Sequence, residues 1–182
     1  MRFSLTIRQA ALAVALAAAA TIGGALVFEH VFGYQPCKLC LTQRNPHYLA
    51  IPLGLVAAVA PPRWGRLGLW ALAVIFAVSA GLGAYHAGVE WGIWAGPSDC
   101  GGSLGTGAGN MGDFLSQLQN TRVVSCTEAA WRFLGLSLAG WNVLISLGLS
   151  AVAAKAAWEG GLFMDRAKAR KTASYGSSSL SQ

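Results

Sequence analysis

Charge is scarce in this sequence. Only 11% of its 182 residues are charged while 54% are hydrophobic, which excludes an ordinary soluble domain, where the charged share runs near 25%. Charge is missing altogether from four stretches, 10–28, 45–62, 67–89 and 133–154. Each approaches the roughly 20 helical residues, rising about 1.5 Å apiece, that cross a hydrocarbon layer about 30 Å thick. The sequence predicts an all-α membrane protein, a bundle of four transmembrane helices. The second span is the weakest, because its strongly apolar part runs only over 48–60 and Pro52 interrupts it. A kinked, slightly short helix is tolerated where neighbours re-satisfy its freed backbone groups. Uncharged span cores also count against a small transporter, which needs ionisable groups within the membrane.

The few basic residues are unevenly placed. With both termini inside, the cytoplasmic side holds Arg2, Arg8, Arg63, Arg66, Lys155, Arg166, Lys168, Arg170 and Lys171, and the outer loops keep only Lys38, Arg44, Arg122 and Arg132. This asymmetry sets both termini in the cytoplasm and the loops 29–44 and 88–131 outside. The net charge of +6 then needs no nucleic-acid partner. Trp64, Trp70, Trp91, Trp94, Trp131 and Trp158 fall near span ends, where indole rings favour the interface. Arg2 and Arg8 before an Ala-rich run resemble a signal peptide, but the apolar run continues past the small-residue sites at Ala18 to Ala20 as far as Phe28, so a retained first span is expected. Residues 1–164 form one membrane domain. The tail, 165–182, is basic and then Ser-rich, and is expected to be disordered and drawn to anionic lipid.

No cysteine lies within a span or on the cytoplasmic side. Cys37, Cys40, Cys100 and Cys126 all fall in the two outer loops, as suits an oxidising compartment. No second close pair accompanies Cys37 and Cys40, which counts against a four-thiolate zinc site, and no metal is expected.

A Cys-x-x-Cys pair commonly cycles between dithiol and disulfide, with one thiolate at depressed pKa. Asn45 before Pro46 reads as the N-cap and first residue of the second helix, with Thr42 as an earlier candidate cap. Either choice brings Cys40 near the helix's positive end, where a thiolate is favoured. Arg44 adds a fixed cation; at about 4 Å and an effective dielectric of about 20, two unit charges interact by roughly 4 kcal/mol. The plain alternative is a structural disulfide beside an interfacial arginine.

The second outer loop sets Cys100 before Gly101, Gly102, Gly105, Gly107 and Gly109, which leaves its backbone permissive and its sulfur open to exchange. Met111, Phe114, Leu115 and Leu118 recur at helical spacing, as in a short interfacial helix or one packed on the bundle. Four cysteines allow three pairings. A Cys100–Cys126 bridge would stabilise by roughly 3 kcal/mol through loop entropy alone.

The segment Gln35-Pro36-Cys37-Lys38-Leu39-Cys40-Leu41-Thr42-Gln43-Arg44, set just before a span, together with Cys100 and Cys126 in the second outer loop of a four-span chain, resembles the DsbB family of disulfide-generating membrane oxidoreductases. The resemblance covers most of the chain, and Tyr85-His86-Ala87-Gly88-Val89-Glu90-Trp91-Gly92 is similar to the DsbI-like branch. It implies a thiol:quinone oxidoreductase of the bacterial inner membrane with its active loops in the periplasm. Cys100 would accept attack by a reduced thioredoxin-fold partner of the DsbA type, and Cys126 would resolve the mixed disulfide and attack Cys37. Cys40 is then freed to pass electrons to a quinone, ubiquinone or menaquinone, beside Arg44. The redox-active disulfides implied are Cys37–Cys40 and Cys100–Cys126. His86 matches a position associated with the quinone, although a histidine at such a boundary is ordinarily an interfacial hydrogen-bonding residue. His47 could line the same pocket, while Glu29 and His30 are given no chemistry. Thr42 and Gln43 stand where several family members carry an aromatic and an acidic residue, which puts the positioning of Arg44 in question.

Two rival readings are a vitamin K epoxide reductase-like enzyme, in which the active Cys-x-x-Cys comes late in the chain, and a noncatalytic scaffold or transporter with structural disulfides. Graded thiol reductants separate the second, since structural bridges resist reduction and working ones equilibrate.

Overall fold

A computed structural model describes residues 6–97 and 126–178, with 164–178 described in backbone only. Four helices carry the fold: α1 (Ile7–His30), α2 (Lys38–Val59), α3 (Pro62–Glu90) and α4 (Leu138–Ser178). A two-stranded antiparallel hairpin, β1 (Arg132–Phe133) and β2 (Leu136–Ser137), precedes α4. Neighbouring helices pack in a ring, α1 on α2, α2 on α3, α3 on α4 and α4 on α1.

Three helices, Ile7–His30, Pro62–Glu90 and Leu138–Phe163, are long and apolar enough to cross a membrane. Helix α2 falls short of them in apolarity because its first turns hold Lys38, Gln43, Arg44, Asn45 and His47. Side chains follow the pattern of a protein dissolved in lipid. Small residues fill the interior, with Ala10, Ala11, Ala18, Ala50 and Ala157 fully or almost fully buried around Leu69, Leu72 and Phe76. Leu16, Val56, Val74 and Leu147 face outward. Where α1 crosses α2, a Cβ on Gly54 would stand 2.9 Å from Ala15 Cβ, so the helices approach closely only because that position lacks one.

Several sequence expectations require correction. The second helix begins at Lys38 with Cys37 as its N-cap, not at Thr42 or Asn45. Pro46 and Pro52 both lie inside it, each forfeiting one ladder hydrogen bond in a helix held by its neighbours. Residues 133–137, expected at the start of the fourth span, form the hairpin instead. Leu134 and Gly135 both take positive φ, 52° and 81°, the two-residue turn that matches strand twist. Over 165–178, within the tail, the backbone continues α4. The Ala, Lys and Arg residues there are good helix formers. The expected interfacial helix at Met111 to Leu118 lies outside the described residues.

At one end of the bundle, backbone carbonyls are tied by arginines. Arg8 donates to the Ala58 carbonyl at 3.0 Å and Arg66 to that of Ala157 at 3.1 Å. Cys37, Cys40, Cys126 and the hairpin gather at the other end.

Candidate functional site

Cys37 sits where the chain turns into α2. Its sulfur accepts the Cys40 backbone N–H at 3.3 Å and lies 3.1 Å from Cys40 Sγ and 3.7 Å from His86 Nε2. The hydrogen bond from Cys40, backed by those from His86 and the backbone, outweighs burial and holds the Cys37 thiol down to about 4. Donating to Cys37, and buried beside its charge, Cys40 has its own pKa raised. The sequence expectation of a thiolate favoured at Cys40 is therefore reversed in this dithiol. The helix starts early enough to put Cys37, not Cys40, at its cap.

Both Cys37 and Cys40 are free thiols, while Cys126 is in a disulfide. Cys100 lies outside the described residues. Cys37 Sγ, Cys126 Sγ and the facing nitrogen of His86 all lie within 4.8 Å of one another, and all three residues are buried. Such a trio has the donors for a soft metal ion. A disulfide sulfur is not a thiolate ligand, however, so in this state the trio is arranged for sulfur exchange and not for coordination.

A chain of side-chain hydrogen bonds enters the bundle from His86. Its Nδ1 meets Gln43 Nε2 at 2.6 Å, Gln43 Oε1 accepts from Asn142 at 2.7 Å, and Ser146 links Asn142 at 3.4 Å to Ser79 at 3.0 Å. Three helices contribute, and Gln43, His86, Ser79 and Ser146 are buried. Buried polar groups persist when each has its partner. The sequence reading gave Gln43 and Asn142 no role; the one signal was an uncharged amide among apolar residues in the fourth span.

Beside this chain lies a cavity of about 320 Å³. Its walls include Ile22, Ala25, Phe28, Trp141 and Ile145, and its polar lining includes Cys40, Gln43, Arg44, His47, His86 and Asn142. Arg44 is held by an ion pair with Glu29 of α1, Nη1 to Oε2 at 2.5 Å. Glu29, given no chemistry by the sequence reading, thus answers what positions that arginine. His47 Nδ1 donates to the Gln43 carbonyl at 3.2 Å, and its Nε2 is buried without a partner. An aromatic cluster adjoins the cavity, with Phe28 5.1 Å from Trp131 and 6.0 Å from Tyr34 between ring centres.

Helices apolar enough to cross a membrane, ending in a dithiol and a disulfide within exchange reach of each other, define a membrane protein of thiol–disulfide chemistry. A family model described as "Disulfide bond formation protein DsbB" matches residues 7–156, and the chain belongs to the DsbB family. Among proteins named disulfide bond formation protein B, that of Marinobacter nauticus is 33% identical over 75% of this chain and 86% of its own length. That of Methylococcus capsulatus is 34% identical over 73% and 83%, and that of Saccharophagus degradans 30% over 84% and 92%. No solved structure matches the chain. It is a membrane disulfide-forming oxidoreductase.

Proposed function

We propose that the chain is a protein-dithiol:quinone oxidoreductase of the bacterial inner membrane. In this reading it spans the bilayer four times and oxidises a periplasmic dithiol protein of the DsbA type. The carrying observation is the order of the sulfurs: Cys126 lies within 4.8 Å of Cys37, Cys37 is 3.1 Å from Cys40, and Cys40 lines the cavity.

Reducing equivalents enter when the partner's thiolate attacks Cys100 and Cys126 leaves as thiolate. Cys126 then attacks the Cys37 sulfur of a Cys37–Cys40 disulfide, forming one S–S bond as another breaks, and Cys40 is released facing the cavity. A quinone, when bound, supplies the two-electron acceptor. The cavity suits it: apolar walls take a ring, and a few polar side chains line it. Arg44 offers N–H donors to an acceptor oxygen. His47 is a hydrogen-bond acceptor at Nε2, because its Nδ1 already donates, so it suits a hydroxyl oxygen better than a carbonyl. His86 touches both Cys37 and the cavity and can hold a proton between them.

The test is oxidation of a reduced DsbA-type protein by purified protein with a soluble quinone. Cys37→Ala and Cys40→Ala should each abolish turnover, and Arg44→Ala should raise the KM for quinone about tenfold, the loss of roughly one charge-assisted hydrogen bond. Quinone-dependent turnover in a Cys37→Ala/Cys40→Ala protein refutes the route, and an unchanged KM in Arg44→Ala removes that residue from it.

A further inference from the structure

One buried ionisable group has no part in the route above. Glu90 ends α3 one turn beyond His86, with its side chain 5% exposed. Oε1 lies 3.8 Å from His86 Nε2, and Oε2 is buried with no hydrogen-bond partner. A carboxylate taken out of water and left half-satisfied is costly unless positive charge faces it. His86 is the base in contact with it. The same nitrogen is 3.7 Å from Cys37 Sγ, so one ring edge looks at an acid on each side. Gln43 Nε2 meets the ring's other nitrogen, and its Oε1 accepts from Asn142, so the imidazolium form is served when Gln43 turns its amide end for end and Asn142 turns with it.

We propose that Glu90 is a positioning residue for the proton of Cys37: its carboxylate lets His86 keep that proton, so that thiolate, imidazolium and carboxylate stand together. The step moves no electrons. The Cys37 S–H bond breaks, an Nε2–H bond forms, and the negative charge of Glu90 offsets the imidazolium. The other ionisable group beside the ring is Cys40 at the start of α2, and the neighbouring Cys126, in a disulfide, does not titrate. Along the cavity wall stand Arg44, paired with Glu29 of α1, and His47; α4 presents the uncharged Asn142. The inference rests on Cys37 being an exchanging sulfur, and its test reads the proton and not turnover.

The experiment follows carbamidomethylation of Cys37 by mass spectrometry against pH, on the full-length protein in detergent. The wild-type profile should show a lower step for thiolate formation and an upper step where the imidazolium loses its proton. Glu90→Gln should lower the upper step by about one pH unit or more, because a cation has lost its counter-charge, and Glu90→Asp should restore part of it. An upper step absent from the wild type, or moved by less than about a third of a unit in folded Glu90→Gln, overturns the proposal. Should both variants fail to fold, nitrogen NMR of ¹⁵N-histidine-labelled, reduced wild type decides: a His86 ring with both nitrogens protonated while Cys37 is thiolate supports the pair, and one with a bare nitrogen overturns it. A shifted step in a protein without quinone-dependent turnover leaves this inference standing and removes the proposed electron route.

Discussion

The two ends of the bundle solve opposite problems with the same helices. At the end where Arg8 and Arg66 tie down carbonyls, the interior is alanine packed around Leu69, Leu72 and Phe76, and apolar packing is the main source of stability. At the cysteine end the interior is amide, imidazole, hydroxyl and thiol, and the groups of the chain from His86 to Ser79 stay because each satisfies the next. In a low-dielectric surrounding a hydrogen-bonded chain is stronger per bond, and a broken link is more costly, than at a wet surface. One end is tolerant of chemistry and intolerant of volume; the other is the reverse.

The largest effect that separates the ends is expected at Cys37. Its thiol is held down to about 4 from 9.0, with hydrogen bonding from Cys40 as the main cause. A depressed acid stays ionised above its folded pKa, so Cys37 should be thiolate from about pH 4 upward, where an ordinary thiol is protonated until about 8.5. Cys40 shifts the other way and stays protonated. At pH 6 alkylation of the dithiol form should fall on Cys37 over Cys40 by roughly a hundredfold, after allowing for the lower nucleophilicity of a low-pKa thiolate, and should decline as pH falls through about 4. Peptide mapping after brief labelling measures the ratio; equal labelling would collapse the difference between the two sulfurs.

Gln43→Leu breaks the polar chain at its middle and comes second. It leaves His86 Nδ1 and the Asn142 amide without their shared partner. A buried polar group stripped of its partner costs about 1–3 kcal/mol, so denaturation in a mild detergent should show a loss of about 2–6 kcal/mol for the two. A loss below about 1 kcal/mol would mean that water replaces the amide and that this end is wetter than its burial indicates.

How much of this was legible in the sequence depends on what kind of signal each feature leaves. Hydropathy runs found α1, α3 and most of α4, because a charge-free stretch of about 20 residues has few other uses. They misplaced the ends of α2 and α4, since Asn45-Pro46 imitates a helix start and the charge-free part of the hairpin, 133–137, reads on from the span that follows. Cysteine spacing pointed to the site through covalent chemistry. The partners of those sulfurs left no comparable mark: Glu29 reaching Arg44, Gln43 reaching His86 and Asn142 reaching Gln43 are meetings across 15, 43 and 99 residues. Each of those residues is ordinary in its own segment. Only the ring order of the helices brings them together.

The smallest effect is expected where the two regimes meet. Ser146, in α4, bonds Ser79 of α3 at 3.0 Å, and both are fully buried at the inner limit of the polar chain. Ser146→Ala removes a link but strands little. The Ser79 hydroxyl can turn to a carbonyl of its own helix one turn back, and Asn142 Oδ1 loses only a 3.4 Å contact. The expected loss is about 0.5–1 kcal/mol, the net worth of one hydrogen bond, with quinone-dependent turnover and the Cys37 labelling profile unchanged. A loss as large as that of Gln43→Leu would move the boundary inward, making the chain from Ser79 to Cys37 one cooperative unit. The double variant Ser146→Ala/Gln43→Leu reads that coupling directly, since additive losses place Ser146 with the packed end and a smaller sum joins it to the site.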